Sequence, residues 1–587
     1  MTQRRELHSQ KMRAIAPEID PLRLGIGWTD EDLGKPQVLV ESVAGDSMPC
    51  SVHLGELVEH VRDGVIEAGG AVGRYYCTDI CDGIAQGTEA MEYSLASREV
   101  IALATEMHAF AGHFDGLVLL SGSDKSLPAH VIAALRLDLP AIMVHGGVME
   151  EGPSGETLPH RTMSLEQVGT IYAQLQRGEI SPQEYAFLRE EACPSKGTCA
   201  FMGTACTMQV LCEAMGLALP GSALRPATHF AMARGCRQAG KAIIEVIEKG
   251  ITPRQVFTQK ALENAIAVHA AIGGSTNALL HLPAFAHEAG LNFDYDLVQQ
   301  INDRVPFIVN VRPSGDHTPD KLWFAGGVPR LMLELRDFLH LDALTVTGQT
   351  VGENLEALEK TGWFEQMPRY LAARGLQVRD VVRPLSDPLR PQGAIAVLRG
   401  NLAPDTAVVK RSALDPSLRR FVGRARVFER QDDALQAIFQ GHIQPGDAVV
   451  IRYEGPAGSG MPEQFYVTEA IASNPALATR VVLITDGRFS GASRGPAIGH
   501  VSPEAAAGGP IAAVEENDLF LVDIDERRLD LVGVRGEEKS AAEMGQIIAE
   551  RLGRLPPRPP KHTRGLRGLF THLASSAAEG AVLRLPS

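Results

Sequence analysis

Gly116 to His130, GLVLLSGSDKSLPAH, is the stretch on which the reading of the fold turns. Leu117-Val118-Leu119-Leu120 is a continuous apolar run, as expected of a strand covered on both faces of a parallel sheet. Ser121-Gly122 ends it, and Pro128 is placed for the first turn of a helix through Val131-Ile132-Ala133-Ala134-Leu135. Ser123, Asp124 and Lys125 therefore fall at a strand's carboxyl end, where open α/β sheets place their ligands. A hydroxyl, a carboxylate and an amine there could hold a metal or an anion. Taken alone, the stretch reads as a capped helix start with a solvated ion pair.

Working outward, Leu54 to Ala68 has apolar residues at helical spacing and is closed by Gly69-Gly70. The segment CTDICDGIAQGTEAMEYSLASRE begins as a Gly-punctuated loop carrying Asp79, Asp82 and Glu89, and turns helical from Ser97. After the 117–120 strand and its helix comes a second strand, Leu139 to Val144, which ends at Gly146-Gly147. This alternation predicts a parallel α/β domain. Residues 164–191 read as polar helices, Ala205 to Leu217 as a buried helix, and 226–247 and 260–290 as further helices. Within 260–290, the turn at Gly273-Gly274-Ser275-Thr276 could present backbone N–H groups to an anion, or simply start a helix.

Pro384, Pro388 and Pro391 mark a linker. Short alternating patterns follow (AIAVLRG, AVVKRSA, RARVFER, DAVVIRYEG, RVVLITDG), with one helical stretch among them. The expected architecture is thus a parallel-sheet α/β domain over 1–383 and a β-rich domain of barrel or sandwich type over 384–587, the barrel preferred. Two loops of the second part carry candidate chemistry: YEGPAGSGMPEQF, with Glu454 and Glu463, and TDGRFSGASRGPAIGHVSPEA, with Asp486, Arg488, Ser490 and Arg494.

At 587 residues the chain is too long for one core. A net charge of −15 argues against nucleic-acid binding. No apolar stretch approaches the ~20 residues of a membrane span. The polar opening MTQRRELHSQKMRA lacks an apolar signal core, so a cytoplasmic location is expected. Eight cysteines all precede residue 240, at spacings unlike those of zinc fingers. Disulfides are not expected of them. Cys206 and Cys212, within the apolar run, read as packing residues, whereas the cysteines in Gly- and Pro-flanked loops are candidates for a metal or cluster.

In order along the chain, CDGIAQGTEAMEYSLASRE, GSDKSLPA, ACPSKGTCAFMGTA, GGSTNALLHLPA, EGPAGSGMPE and DGRFSGASRGPAIGHVSPEAAAGGPIA resemble the motif set of the dihydroxy-acid dehydratase / phosphogluconate dehydratase family, which includes sugar-acid (aldonate) dehydratases. The resemblance implies a hydro-lyase with its site between an α/β domain and a β-barrel domain. It also implies an iron–sulfur cluster, of the [2Fe–2S] type, and Mg²⁺. Carried over by position, Cys50 and Cys199 match cluster ligands. Asp82, Asp124 and Glu463 match Mg²⁺ ligands, Lys125 a lysine that becomes a carbamate and binds Mg²⁺, and Ser490 the proton acceptor. A homodimer or homotetramer acting on a small polyhydroxy acid is expected. The stretches HTPDKLWFAGGVP and GSDKSLPA favour an aldonate as substrate, with dihydroxy-acid dehydration in branched-chain amino-acid synthesis as the alternative.

The chemistry of these residue types agrees with that assignment. Mg²⁺ takes hard oxygen ligands, which carboxylates and a carbamate supply and a free ammonium does not. A serine hydroxyl is a weak base until its alkoxide is stabilised, a task for Mg²⁺, Arg488 or Arg494. One position departs from the family pattern: Ser123 stands where the family has a cysteine ligand. The cluster would then use the Ser123 oxygen, shift to another thiol such as Cys81 or Cys193, or be absent, leaving a non-catalytic binding protein.

Overall fold

The computed structural model describes residues 6–158, 161–493, 495 and 497–585. Its first layer is a four-stranded parallel sheet in the order β2-β1-β3-β4, with β1 at Gln37–Ser42, β2 at Ala71–Tyr76, β3 at Gly116–Ser121 and β4 at Ala141–His145. β1, β3 and β4 are buried along their whole length, as their apolar runs require. The crossovers are the helices Leu54–Glu67, Ser94–Ala111 and Ser126–Leu137, each close to its expected span. A two-stranded ribbon, β5 (Gly152–Pro153) with β6 (Thr162–Met163), and a group of helices follow. The apolar run after Gly203 is the helix Thr204–Ala214, buried throughout. The helical region over 260–290 consists of two helices, Gln259–Ile272 and Ala278–Ala289, separated at the expected turn, where Gly273 takes φ 65°.

The second sheet has nine strands in the order β15-β14-β13-β9-β10-β11-β12-β8-β7. In chain order they are β7 (Ile395–Leu398), β8 (Thr406–Lys410), β9 (Arg420–Phe428), β10 (Asp447–Ile451), β11 (Val482–Thr485), β12 (Ala497–Ser502), β13 (Leu519–Asp523), β14 (Arg528–Val534) and β15 (Glu537–Glu538). β9 to β12 pair in parallel and the flanking strands antiparallel. The expected barrel is corrected here. The strand order leaves β7 and β15 as separate edges, and an isolated bridge, Arg399 with Arg528, is where the curled sheet approaches itself. It is a half-barrel, and its parallel centre is joined by the crossover helices Gln431–Phe439, the helical stretch expected among the β patterns, and Phe465–Ala472, which those patterns did not announce.

The larger apolar core runs on from the first sheet through Ile395, Val397 and Val408 and takes in Val582 from the chain end. The second packs inside the curled sheet around Val450, Ile484, Phe520 and Leu531. No described helix is long and apolar enough to cross a membrane.

One glycine ties this fold to what it positions. A Cβ on Gly122 would lie 2.2 Å from the Cys50 carbonyl oxygen, so only glycine lets the loop before helix Leu54–Glu67 reach the end of β3. Backbone cannot be relieved by a rotamer change. Gly122→Ala should therefore lower unfolding stability by ~1–3 kcal/mol, read as a lower midpoint in chemical denaturation. An unchanged midpoint would show that the loop can move aside freely.

Candidate active site

The carboxyl ends of β3 and β11 face a cavity of about 770 Å³. Cys50, Cys81, Asp82, Ser123, Asp124, Cys199, Glu463 and Ser490 all line it. Six segments spread over more than 400 residues of the chain, from Cys50 to Ser490, thus meet in one place.

The helix-cap reading of Ser123 to Lys125 fails on geometry. Lys125 occupies the N-cap of helix Ser126–Leu137 without a side-chain cap bond. Its side chain turns inward, and Nζ lies 2.7 Å from Asp82 Oδ2 with both residues buried. Asp124 Oδ1 accepts a hydrogen bond of 2.9 Å from the Ala205 N–H, in the first turn of helix Thr204–Ala214. Glu463 Oε2 accepts from Gln86 Nε2 at 2.6 Å, and Oε1 from Asn277 Nδ2 at 2.7 Å and from Arg488. Asp82, Asp124 and Glu463 each offer an oxygen, all within 4.8 Å of one another. These are hard donors at a spacing that suits one small divalent cation.

Three carboxylates so close repel one another, and the surroundings answer with two buried cations. Burial pushes Asp82 up, but Lys125 and Arg488 outweigh it and hold Asp82 below the usual carboxylate range. Asp124 goes the other way, to about 7, through burial and the charges of Asp82 and Glu463, which Lys125 and Arg488 only partly offset. Arg488 is fully enclosed. Its guanidinium pairs with Glu463, donates to Ser94 Oγ at 2.9 Å and to the Met461 carbonyl at 2.7 Å, and lies 3.8 Å from Asp82. Ser94 Oγ in turn donates to Asp82 Oδ1 at 2.7 Å. Removing one partner of such a buried pair typically costs about 3–5 kcal/mol.

The thiols sit on an adjoining wall. Cys50 and Cys199 are hydrogen-bonded to each other. That bond favours the Cys50 thiolate, yet burial and the nearby Cys81, Asp124 and Asp79 outweigh it and hold the thiol above its ordinary value. The same bond, with burial, pushes Cys199 well up. Burial takes Cys81 to about 12, against hydrogen bonds from the Ile84 and Gly83 N–H groups. Cys206 and Cys212 are buried in their helix and pack there, Cys206 with one edge on the cavity.

Ser490 is partly exposed to the cavity, and its Oγ accepts a 3.3 Å hydrogen bond from the Ala492 N–H. Arg488, expected to assist it, spends its donors on Glu463, Ser94 and Met461. Arg494 lies outside the described residues. Asp486 is a loop staple, accepting from the Tyr453, Glu454 and Ala505 N–H groups at 2.9 to 3.0 Å, and Glu454 is bonded by Ser459. The Gly273–Thr276 turn offers no anion cradle, since the Ser275 N–H donates to Thr207 Oγ1 at 3.0 Å. Gln86, Ser94 and Asn277 went unremarked in the sequence. Each is a polar residue inside or beside a Gly-containing loop motif, and that was the one signal available.

Leu165, Val168, Tyr172, Leu435, Phe439 and Tyr466 contribute apolar surface to the rest of the lining, with Glu166, Gln176, Arg177 and Glu469 among them.

Family profiles for the N-terminal and C-terminal parts of dihydroxy-acid/6-phosphogluconate dehydratases match residues 35–354 and 380–581. A dihydroxy-acid dehydratase of Syntrophobacter fumaroxidans is 44% identical over 562 residues, 95% of each chain. That of Caldicellulosiruptor bescii is 42% identical over 95% of this chain and 96% of its own. That of Ignicoccus hospitalis is 41% identical over 97% and 98%. These names overturn the expectation of an aldonate substrate. The structure supplies the reason: HTPDKLWFAGGVP forms the core-packed helix Pro319–Phe324, with Leu322, Trp323 and Phe324 buried, and the cavity wall is built from other segments. With both profiles matched and this identity sustained over nearly the whole length, the chain belongs to the dihydroxy-acid/6-phosphogluconate dehydratase family and is a hydro-lyase.

Proposed function

We propose that this chain removes water from a 2,3-dihydroxy acid bearing a short branched alkyl group, giving the 2-keto acid, as in branched-chain amino-acid synthesis. The carrying observation is one cavity lined by the Asp82–Asp124–Glu463 trio, by Ser490 and by apolar side chains that include Leu165, Val168, Leu435 and Phe439. Apolar surface of that kind suits an alkyl group. The relatives named dihydroxy-acid dehydratase support the same reading.

The donor set suits the two groups the family implies. Asp82, Asp124 and Glu463 would hold Mg²⁺, and Lys125, once carbamylated, would exchange its ammonium for a further oxygen ligand. Cys50 and Cys199 would hold an iron–sulfur cluster, with the Ser123 oxygen beside them on the same wall. When bound, these groups supply positive charge at the substrate's carboxylate and C2 hydroxyl and a Lewis acid at the C3 hydroxyl.

The chain's own residues do the rest. Gln86 and Asn277 fix the Glu463 carboxylate so that its orientation does not depend on the substrate. The Ser490 Oγ takes the proton from C2, and the Ala492 N–H directed at that oxygen favours its charged form. The apolar side chains orient the alkyl group and keep water from the reacting carbons.

The test is keto-acid formation by anaerobically purified protein with Mg²⁺. 2,3-Dihydroxy-3-methylbutanoate should be turned over with kcat/KM on the order of 10²-fold above that for a five- or six-carbon aldonate. Equal or better use of the aldonate would overturn the proposal.

Ser123 makes a second prediction. An alkoxide is a poorer match for iron than a thiolate. Iron and acid-labile sulfide per chain, measured after chelator challenge without oxygen, should rise in Ser123→Cys and fall in Ser123→Ala relative to the natural protein. Equal retention in all three would move the ligand role to Cys81, which lines the same wall.

A further inference from the structure

Ser490 needs a positive charge to act as a base, and Arg488 is committed to the carboxylate side of the cavity. Behind the serine loop lies another cation. Lys410, the last residue of β8, is buried, and among the described residues no carboxylate pairs with it. Its Nζ donates to the Gly491 carbonyl at 3.3 Å. The adjacent Arg411 points away, to the Gly393 and Asn302 carbonyls. On the loop's other side, Gly491 is pressed against Gly203 and Ser275: a Cβ there would lie 2.7 Å from the Gly203 Cα and 3.1 Å from the Ser275 Cβ. The titratable group facing Lys410 from the helix Gln259–Ile272 is His269. Its Nε2 donates to the Ser275 carbonyl at 2.9 Å, and burial holds the ring neutral, at about 4. Nothing nearby neutralises the lysine. A buried ammonium with no counter-ion is costly unless an anion forms beside it.

We propose that Lys410 is the positioning residue for Ser490, fixing the Ser490–Gly491 turn through the Gly491 carbonyl and supplying the positive charge that stabilises the serine alkoxide. This rests on Ser490 being the proton acceptor. With hydroxyl and ammonium both protonated, the serine is not a base. Loss of one proton gives a pair whose competent form is alkoxide with ammonium. The alkoxide then takes the C2 proton as the C2–H bond breaks. Hydroxide leaves C3, combines with that proton to form the released water, and the alkoxide is restored.

Burial lowers Lys410 to about 7, so the one-proton pair is populated above that pH and lost below it. The rate should therefore climb as pH rises through about 7 in the natural protein. Lys410→Met should cut kcat by about 10²-fold near neutral pH and move the rising limb to higher pH, while KM changes by less than about threefold. Lys410→Arg keeps a charge and a donor, and should recover part of kcat without the limb near 7, because a guanidinium does not titrate there.

Cluster iron and circular dichroism, recorded for each variant, show that the site and fold persist. If Lys410→Met does not fold, the pH profile of Lys410→Arg decides. An unchanged limb, with kcat within about threefold in the variants that fold, would overturn the role of Lys410 while leaving Ser490 as base, provided Ser490→Ala is inactive. Turnover retained by Ser490→Ala would instead remove the serine assignment, and this proposal with it.

Discussion

Three carboxylates within 4.8 Å of one another repel, and the buried Lys125 and Arg488 cations set against them offset that repulsion. That balance also joins the two sheets. Asp82, Asp124 and Lys125 come from loops around the parallel sheet, whereas Glu463 and Arg488 come from loops of the half-barrel. Gln86, Ser94 and Asn277 cross the boundary to meet them. The site is therefore not a recess left between two finished bodies. Its charge network is one of the contacts by which they dock.

The network also sets which chemistry falls to which wall. Oxygen donors converge where the cations have made room for negative charge, and a divalent ion would take over that compensation. The thiols stand to one side, where burial keeps them protonated until a metal displaces their protons. Leu165, Val168, Leu435 and Phe439 add apolar surface to the same lining, with Glu166, Arg177 and Glu469 among them.

Much of this was legible in advance. The β3 run, its Gly122 stop and its following helix were placed within a residue or two, because burial on both faces and turn chemistry act over short sequence distances. The loop motifs and the family resemblance marked Cys50, Asp82, Ser123, Asp124, Cys199, Glu463 and Ser490 as candidates, and all of these line the cavity, whereas Gln86 on the same lining went unmarked. The second sheet was read less well. Its strands were recognised, but a local period of two does not say whether neighbours run parallel or whether the edges meet, so a half-barrel was expected to close.

What the sequence by itself determined is most of the elements, the family and the candidate residues in its loop motifs. All of these follow from local pattern and residue type. Only the tertiary structure decided how those residues are employed. It turned Lys125 inward against Asp82, locked Arg488 on Glu463, packed the Pro319–Phe324 segment into the core, and set Lys410 behind Gly491. Each of these is a contact between segments distant in the chain, or a choice between solvent and interior. Electrostatic energy depends on distance and burial in space, and neither is written in the spacing of residues along a chain.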